Sequence, residues 1–188
     1  MTPPLAPAHS ARPALPARTP RVAEIVAVAR RVLEDEGRDA LTMRHIADLM
    51  GIKAPSIYKH LAGKHQVELA LLEQGLDHMG EALHAAVRGA HGPAGRVRAL
   101  LATYRAEALA HPNLYRLATL GPLPRQELTP GLEEWAGEPF FLVTGNPYVA
   151  QALFSFAHGL VSMELDGRCP PGSDLDRTWA AGAEAFTA

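Results

Sequence analysis

Several hydroxyl and amino side chains stand around Gly51, in the N-terminal third of the chain. Thr42 precedes the first segment, Ser56 and Tyr58 stand in the second, and all three lysines lie between residues 53 and 64. Lysine amines neutralise phosphates and release counterions, whereas hydroxyls donate hydrogen bonds to phosphates or base edges. This region is therefore a candidate surface for binding a nucleic-acid backbone and its bases.

The apolar spacing around Gly51 predicts two short helices joined by a sharp turn, the plan of a helix-turn-helix. Thr42 is expected to cap the first helix, and small Ala47 lets the two helices approach closely. The second helix is expected from about Ala54 to His60. The inner face should consist of Ile46, Leu49, Ile52 and Ile57, and the outward face of Lys53, Ala54, Ser56, Lys59 and His60. The alternative is a plain helical hairpin whose polar face meets only solvent.

Charge is unevenly distributed along the 188 residues. Residues 1–65 hold ten Lys or Arg and six Asp or Glu, a balance of +4, whereas residues 66–188 carry −6 and the whole chain −2. A basic N-terminal part on an acidic body indicates a local contact with an anion such as DNA. Chance surface patterning is the alternative explanation of the same numbers.

Glycine and proline separate the remaining apolar segments, and no segment alternates with a period of two, so we expect an all-α protein. Residues 1–19, rich in Pro and Ala, are predicted to be a disordered arm. A first helix should start at Thr19-Pro20 and end near Gly37. Later helices are expected from Gly63 to before Gly92-Pro93, and over Arg96–Ala110, Asn113–Leu120, about Thr129–Ala136, Tyr148–Leu165 and Leu175–Phe186.

Several function classes lack support in the sequence. Residues 139–163 are uncharged, but Gly145-Asn146-Pro147 interrupts them, so we expect no membrane span. Cys169 is the sole cysteine, which fits a reducing cytoplasm, and it is expected to be incidental rather than redox-active. We find no phosphate loop, zinc motif or nucleophile elbow, and predict neither an enzyme nor a cofactor. His78, Glu81 and His84 share a helix sector that could hold a metal, but a solvated face is the preferred interpretation.

The run LTMRHIADLMGIKAPSIYKHLAGKHQVELALL, within Arg21–Leu72, resembles the DNA-binding domain of tetracycline-repressor-type (TetR) regulators. The resemblance implies that Thr42, Tyr58 and Lys64 contact phosphates. It places Arg44, Ala54, Pro55, Ser56 and Lys59 near bases or the groove wall, and His60 either in packing or on a phosphate. One departure is Lys53, which stands where a capping Ser or Thr is common. The predicted domains are a helix-turn-helix domain over 20–65 and a helical effector-binding and dimerisation domain over 66–188.

Residues 152–160, ALFSFAHGL, resemble the helix of a family subgroup with a Trp…His-Gly C-terminal domain, with Phe154 in place of the Trp. The resemblance implies a homodimer formed by the last two helices, a palindromic double-stranded operator, and a repressor released by a small-molecule effector. Small residues in Tyr148–Leu165 and the apolar stripe of the final helix agree with dimerisation, although an ordinary core would look similar.

An effector pocket should be mostly apolar with one or two polar groups. The candidates are Tyr104, Leu117, Trp135, Phe140, Phe141, Phe154, His158 and Met163. His158 is the best polar group among them, although a hydrogen-bonded core histidine would give the same pattern. The competing hypothesis for the whole chain is a helical protein, or an enzyme, that binds a small molecule, a metal or another protein without binding DNA.

Overall fold

The computed structural model describes residues 11–187, and the regular secondary structure of these residues is all α-helical. This confirms the predicted fold class. The helices are α1 Pro20–Glu36, α2 Met43–Leu49, α3 Ala54–Ile57, α4 Lys64–Gly89, α5 Gly92–Ala110, α6 Pro112–Thr119, α7 Leu132–Thr144, α8 Pro147–Leu165 and α9 Leu175–Ala185. Within the described residues, no helix is both long and apolar enough to cross a membrane.

The described residues form two compact units, and the chain passes from one to the other within α4. The N-terminal unit comprises residues 13–77 and 111–132, and the C-terminal unit comprises 11–12, 78–110 and 133–187. Residues 111–132 therefore pack with the first helices. The sequence had placed them in the effector-binding and dimerisation domain over 66–188. The functional division of the chain stays a prediction.

Local capping signals set the helices of the N-terminal unit. The Thr19 hydroxyl accepts a hydrogen bond from the Val22 amide, Pro20 opens α1, and Gly37 ends it with a φ of 86°. One face of α1 is buried, including Ile25, Val26, Ala29, Val32 and Leu33. This face packs with residues of α2, α3, α4 and α6 into a single hydrophobic core. These signals confirm the predicted bounds of α1.

Two carboxylates attach residues 111–132 to the first helices of the N-terminal unit. Glu34 of α1 accepts hydrogen bonds from the amides of Asn113 and Leu114, at 3.3 Å each, and so caps the first turn of α6. The buried Glu73 of α4 accepts from the Thr129 amide at 2.8 Å and from its hydroxyl at 2.6 Å. The segment is therefore held by hydrogen bonds as well as by apolar packing.

Helix α7 is longer than the sequence predicted. A short helix was expected around Thr129–Ala136, but α7 runs over Leu132–Thr144 with Pro139 inside it. Proline lacks the amide that would bond the carbonyl four residues earlier, here that of Trp135. The Nε2 atom of His84 donates to this carbonyl at 3.0 Å instead. The prediction was wrong at this point because a side chain from another helix supplies the missing donor.

Helices α5, α8 and α9 are joined by one ionic cluster in the C-terminal unit. Arg105 of α5 pairs with Glu164 of α8 at 2.7 Å and with Asp176 of α9, and the hydrogen bond to Glu164 raises the pKa of the guanidinium. The Trp179 indole nitrogen also donates to Glu164 at 3.3 Å. A Cβ at Gly182 would lie 2.0 Å from the Phe156 ring, so glycine permits the close approach of α8 and α9 there.

Two further bounds differ from expectation. Helix α5 begins at Gly92 rather than Arg96, because the first turn tolerates Pro93, whose missing amide has no partner there anyway. Helix α3 ends at Ile57, and residues 58–60 continue as turns rather than as helix.

The predicted disordered arm lies partly outside the described residues, which begin at 11. Residues 11–19 are irregular but make side-chain contacts. Arg12 pairs with Glu81 at 2.8 Å and lies over the Trp135 ring. Arg18 donates to the Ala70 carbonyl at 3.1 Å. Both arginines therefore contact helices of the protein, although residues 1–19 were predicted to be a disordered arm.

Candidate nucleic-acid interface and effector site

The inner face of the helix-turn-helix differs by one residue from the predicted set. Ile46 and Ile57 are buried, with at most 1% of either exposed, and Ile52 is partly buried. Leu49 is 54% exposed, so its assignment to the inner face was wrong. The buried sector of α2 consists of Met43, Ile46 and Ala47. At 3.6 residues per turn Leu49 falls outside this sector, while Met50 packs against it.

Backbone geometry fixes the turn between the two helices. Gly51 has a φ of 66°, a left-handed conformation that glycine adopts without strain. The Ile52 amide donates to the Ala47 carbonyl at 3.0 Å. At the other end of α2, the Thr42 hydroxyl accepts from the His45 amide at 3.1 Å, which confirms the predicted cap. That hydroxyl still has its own proton to donate outward.

Helix α3 starts without a side-chain cap. Lys53 occupies the N-cap position in extended conformation and makes no capping hydrogen bond, while Pro55 stands in the first turn. The Lys53 side chain is exposed, as are Pro55, Tyr58, Lys59 and His60, whereas Ala54 and Ser56 are partly buried. On α2, Thr42 and Arg44 are exposed. These nine residues are called the outer surface below.

Lys64, the tenth predicted contact, is already engaged within the protein. Its amine donates to the Arg38 carbonyl at 3.0 Å and lies 3.8 Å from the Glu68 carboxylate. Arg38 bonds the same carboxylate at 2.9 Å, which raises the pKa of its guanidinium. A lysine amine has three donors, so this engagement leaves Lys64 able to contact a phosphate.

Part of the predicted effector site forms an aromatic cluster in the C-terminal unit. Tyr104 of α5 meets Phe140 of α7 edge-to-face at 5.7 Å, and Phe154 of α8 meets Phe140 in the same way at 5.5 Å. His158, one turn after Phe154, stacks on its ring at 6.0 Å. Four of the eight candidates are thus brought together, three aromatic rings and one imidazole.

The other four candidates lie elsewhere. Leu117 packs against the core of the N-terminal unit, so we leave it out of the proposed site. Trp135 stacks on His84 at 5.0 Å. Phe141 is partly buried, and Met163 is 42% exposed on α8.

Sequence reasoning missed a buried polar group around His84. Only 8% of His84 is exposed, and its Nε2 lies 3.7 Å from a carboxylate oxygen of the buried Glu138. The preferred interpretation, a solvated face bearing His78, Glu81 and His84, was therefore wrong for His84. The available signal was Pro139, because a proline inside a helix leaves one carbonyl without its usual donor.

Two family models match the chain. Residues 25–71 match that of bacterial regulatory proteins of the tetR family, and residues 97–186 match a tetracyclin repressor-like C-terminal domain. Together these segments cover more than two thirds of the chain, including the helix-turn-helix and the helices α8 and α9.

Individual proteins support the same relationship. The chain is 29% identical over 87 residues to the HTH-type transcriptional activator FasR of Mycolicibacterium smegmatis, a match that spans 46% of this chain and 40% of FasR. A protein of unknown function from Rhodococcus sp. RHA1 has the same fold, with a TM-score of 0.76 and 23% identity over 87% of this chain and 92% of that one.

A transcriptional regulator of the TetR/AcrR family from Thermobifida fusca also shares the fold, with a TM-score of 0.64 and 20% identity over 90% of this chain and 97% of that one. The helix-turn-helix geometry, the two matched domain models and the shared fold agree. The chain belongs to the tetR family of bacterial regulatory proteins.

Proposed function

We propose that the outer surface binds double-stranded DNA, with α3 in the major groove. The main support for this proposal is the difference in exposure between the two faces of α3. Ile57 is fully buried and holds the helix in place, while Lys53, Tyr58 and Lys59 on the other side are exposed. A rigid helix with a cationic, hydroxyl-bearing face suits the groove of an anionic duplex.

The residues of the outer surface, together with Lys64, divide into two groups in this proposal. Thr42, Tyr58 and Lys64 bind phosphates, since they offer hydroxyl or amine donors at the ends of the helices. Arg44, Ala54, Pro55, Ser56 and Lys59 face bases or the groove wall, and Lys53 adds a cation beside them. His60 is exposed, which favours a phosphate contact over a packing role.

The test measures the affinity for the promoter next to the gene as a function of salt concentration. Lys53→Gln and Lys59→Gln should each reduce the slope of log affinity against log salt by up to about 0.9, the value for one neutralised phosphate, because each removes a cation beside the phosphates of the groove wall. Arg98→Gln, which removes an exposed charge on α5, is the matched control. Absence of salt-dependent DNA binding would refute the proposal and favour a helical protein that binds a small molecule, a metal or another protein only.

We also propose that the protein is a homodimer formed through α8 and α9. The chain carries no charge over 139–163, yet Tyr148 is 69% and Met163 42% exposed on α8. Ala152 and Gly159 are exposed between them and permit close helix approach. A symmetric pair would present two copies of α3 to a palindromic operator whose half-sites lie about 34 Å apart.

A charge placed on this face tests the dimer. Ala152→Glu should shift the sedimentation coefficient to that of a monomer and weaken operator binding. Ala106→Glu, at an exposed position on α5, should do neither. A wild-type protein that sediments as a monomer at micromolar concentration would contradict the dimer.

The aromatic cluster of Tyr104, Phe140, Phe154 and His158 is the proposed effector site, with His158 as its polar group. An effector would act through α4, which continues from the N-terminal unit into the C-terminal unit. Coupling of about 1–3 kcal/mol would change operator affinity about 5–150-fold. The test titrates the protein with operator in the presence and absence of compounds that the neighbouring gene products process. If compound and operator bind to the protein independently, this mechanism fails.

We favour a cytoplasmic protein that represses transcription. Deletion of the gene should then raise transcription from the neighbouring promoter. A fall in transcription would instead make the protein an activator, the role stated in the name of FasR.

A further inference from the structure

A cleft in the C-terminal unit shares no lining residue with the aromatic cluster. This cleft, of about 490 Å³, is bordered by Arg88 near the end of α4, by His91 and by Arg96 of α5, and Leu142 and Val143 of α7 form its apolar side. Its borders thus combine basic side chains with an aliphatic surface.

The charge around this cleft is unusual for this part of the chain. Residues 66–188 are acidic overall, yet residues 82–106 contain four arginines, two histidines and no aspartate or glutamate. Among the described residues, Arg96 and His91 make no ion pair or side-chain hydrogen bond. Arg88 reaches Glu81 at 3.5 Å between exposed side chains, a contact too weak to neutralise it. Within the part of the chain that the structure describes, the positive charge of Arg96 is therefore unpaired and that of Arg88 is only weakly paired.

We propose that this cleft binds a phosphate-bearing small molecule whose organic part is apolar. Guanidinium groups bind phosphate oxygens through paired, charge-assisted hydrogen bonds, and the imidazole of His91 can add one more. Leu142 and Val143 would cover the organic part and remove its surface from water. The concave shape and small volume favour a small molecule over a duplex or a bilayer surface.

The test uses the full-length protein with uniform ¹⁵N labelling and phenyl phosphate as the probe, without DNA. Phenyl phosphate should shift the amide resonances of residues 88–92 and 94–96, and of Leu142 and Val143, in a saturable manner. Inorganic phosphate and phenol, the two halves of the probe, should each bind at least about tenfold more weakly.

Substitutions at the cleft sharpen this test. The double variant Arg88→Gln, Arg96→Gln should lower the affinity for phenyl phosphate about tenfold or more, since hydrogen bonds to charged groups are lost. Arg98→Gln, on the same helix and outside this cleft, is the matched control and should bind as the wild type does. Thermal unfolding midpoints should be unchanged in all variants, because these side chains are exposed.

Three outcomes would overturn the proposal. Phenol could bind as tightly as phenyl phosphate, or the double variant could retain full affinity. Alternatively, phenyl phosphate could fail to bind while vesicles containing phosphatidic acid, or duplex DNA, bind in a manner that depends on Arg88 and Arg96, which would assign these residues to a lipid or DNA surface. Because the probe is titrated without an operator, failure here is distinguishable from failure of the DNA-binding proposal.

Discussion

The helix-turn-helix and helix α7 satisfy their backbone groups by different means. In α1 and α2 the caps are local, since Thr19 and Thr42 accept from amides three residues ahead. In α7 the carbonyl of Trp135 receives its hydrogen bond from His84, which is 51 residues away in the chain. Local caps can be recognised from residue spacing, whereas a donor from another helix cannot. The N-terminal helices were therefore predicted well and α7 was not.

The same contrast applies to the side chains proposed to bind ligands. The outer surface comes from a continuous segment of about twenty residues, so its exposure follows from helix periodicity once the inner face is known. The aromatic cluster draws on α5, α7 and α8, which meet only in the folded chain. This comparison can be tested with variants that remove either a contact within one helix or a contact between helices.

The largest expected effect concerns the inner face of α2. Ile46→Ala should reduce the free energy of unfolding by about 2–5 kcal/mol, because it removes a fully buried side chain and leaves a cavity. Leu49→Ala on the same helix should change it by less than about 0.5 kcal/mol, since Leu49 is exposed. Chemical denaturation of both variants is the measurement. Equal losses would show that Leu49 belongs to the core, as expected from the sequence.

An intermediate effect is expected at the proline inside α7. His84→Leu should cost about 1–3 kcal/mol, because the Trp135 carbonyl is left buried without a donor. Pro139→Ala restores a backbone amide for that carbonyl, so His84→Leu should cost at least about 1 kcal/mol less in this background. A double-mutant cycle from thermal or urea unfolding measures the coupling. Additive effects would mean that His84 does not replace the missing amide.

The smallest effect, with opposite sign, is expected at the N-cap of α3. Lys53→Ser should raise the free energy of unfolding by less than about 1 kcal/mol, because Pro55 has no amide and the Ser56 amide already donates to the carbonyl of residue 53 at 2.8 Å, so the new hydroxyl can only share that donor. The same change should lower the salt dependence of DNA binding. Lys59→Ser removes an equal charge beyond the cap, so it should weaken DNA binding without the gain in stability. A stability gain in both variants would point to charge repulsion rather than capping.

Predictions of the fold succeeded where a residue acts on its own helix. Glycine at residues 37 and 51, threonine at 19 and 42, and proline at 20 marked helix ends that the structure confirms. They were wrong where a helix contains a proline, as α5 does at Pro93 and α7 at Pro139, because proline is tolerated in a first turn and its missing donor can be replaced from elsewhere.

The sequence alone predicted the all-helical class and the helix-turn-helix with its Gly51 turn. It also predicted most residues of the outer surface. Each of these depends on residues close together in the chain, whose types limit the local backbone. The tertiary structure decided that Leu49 is exposed, that His84 is buried against Trp135, and that Leu117 is separate from the aromatic cluster. These outcomes depend on which helices pack together, because burial is a property of the neighbours a side chain meets and not of its own spacing.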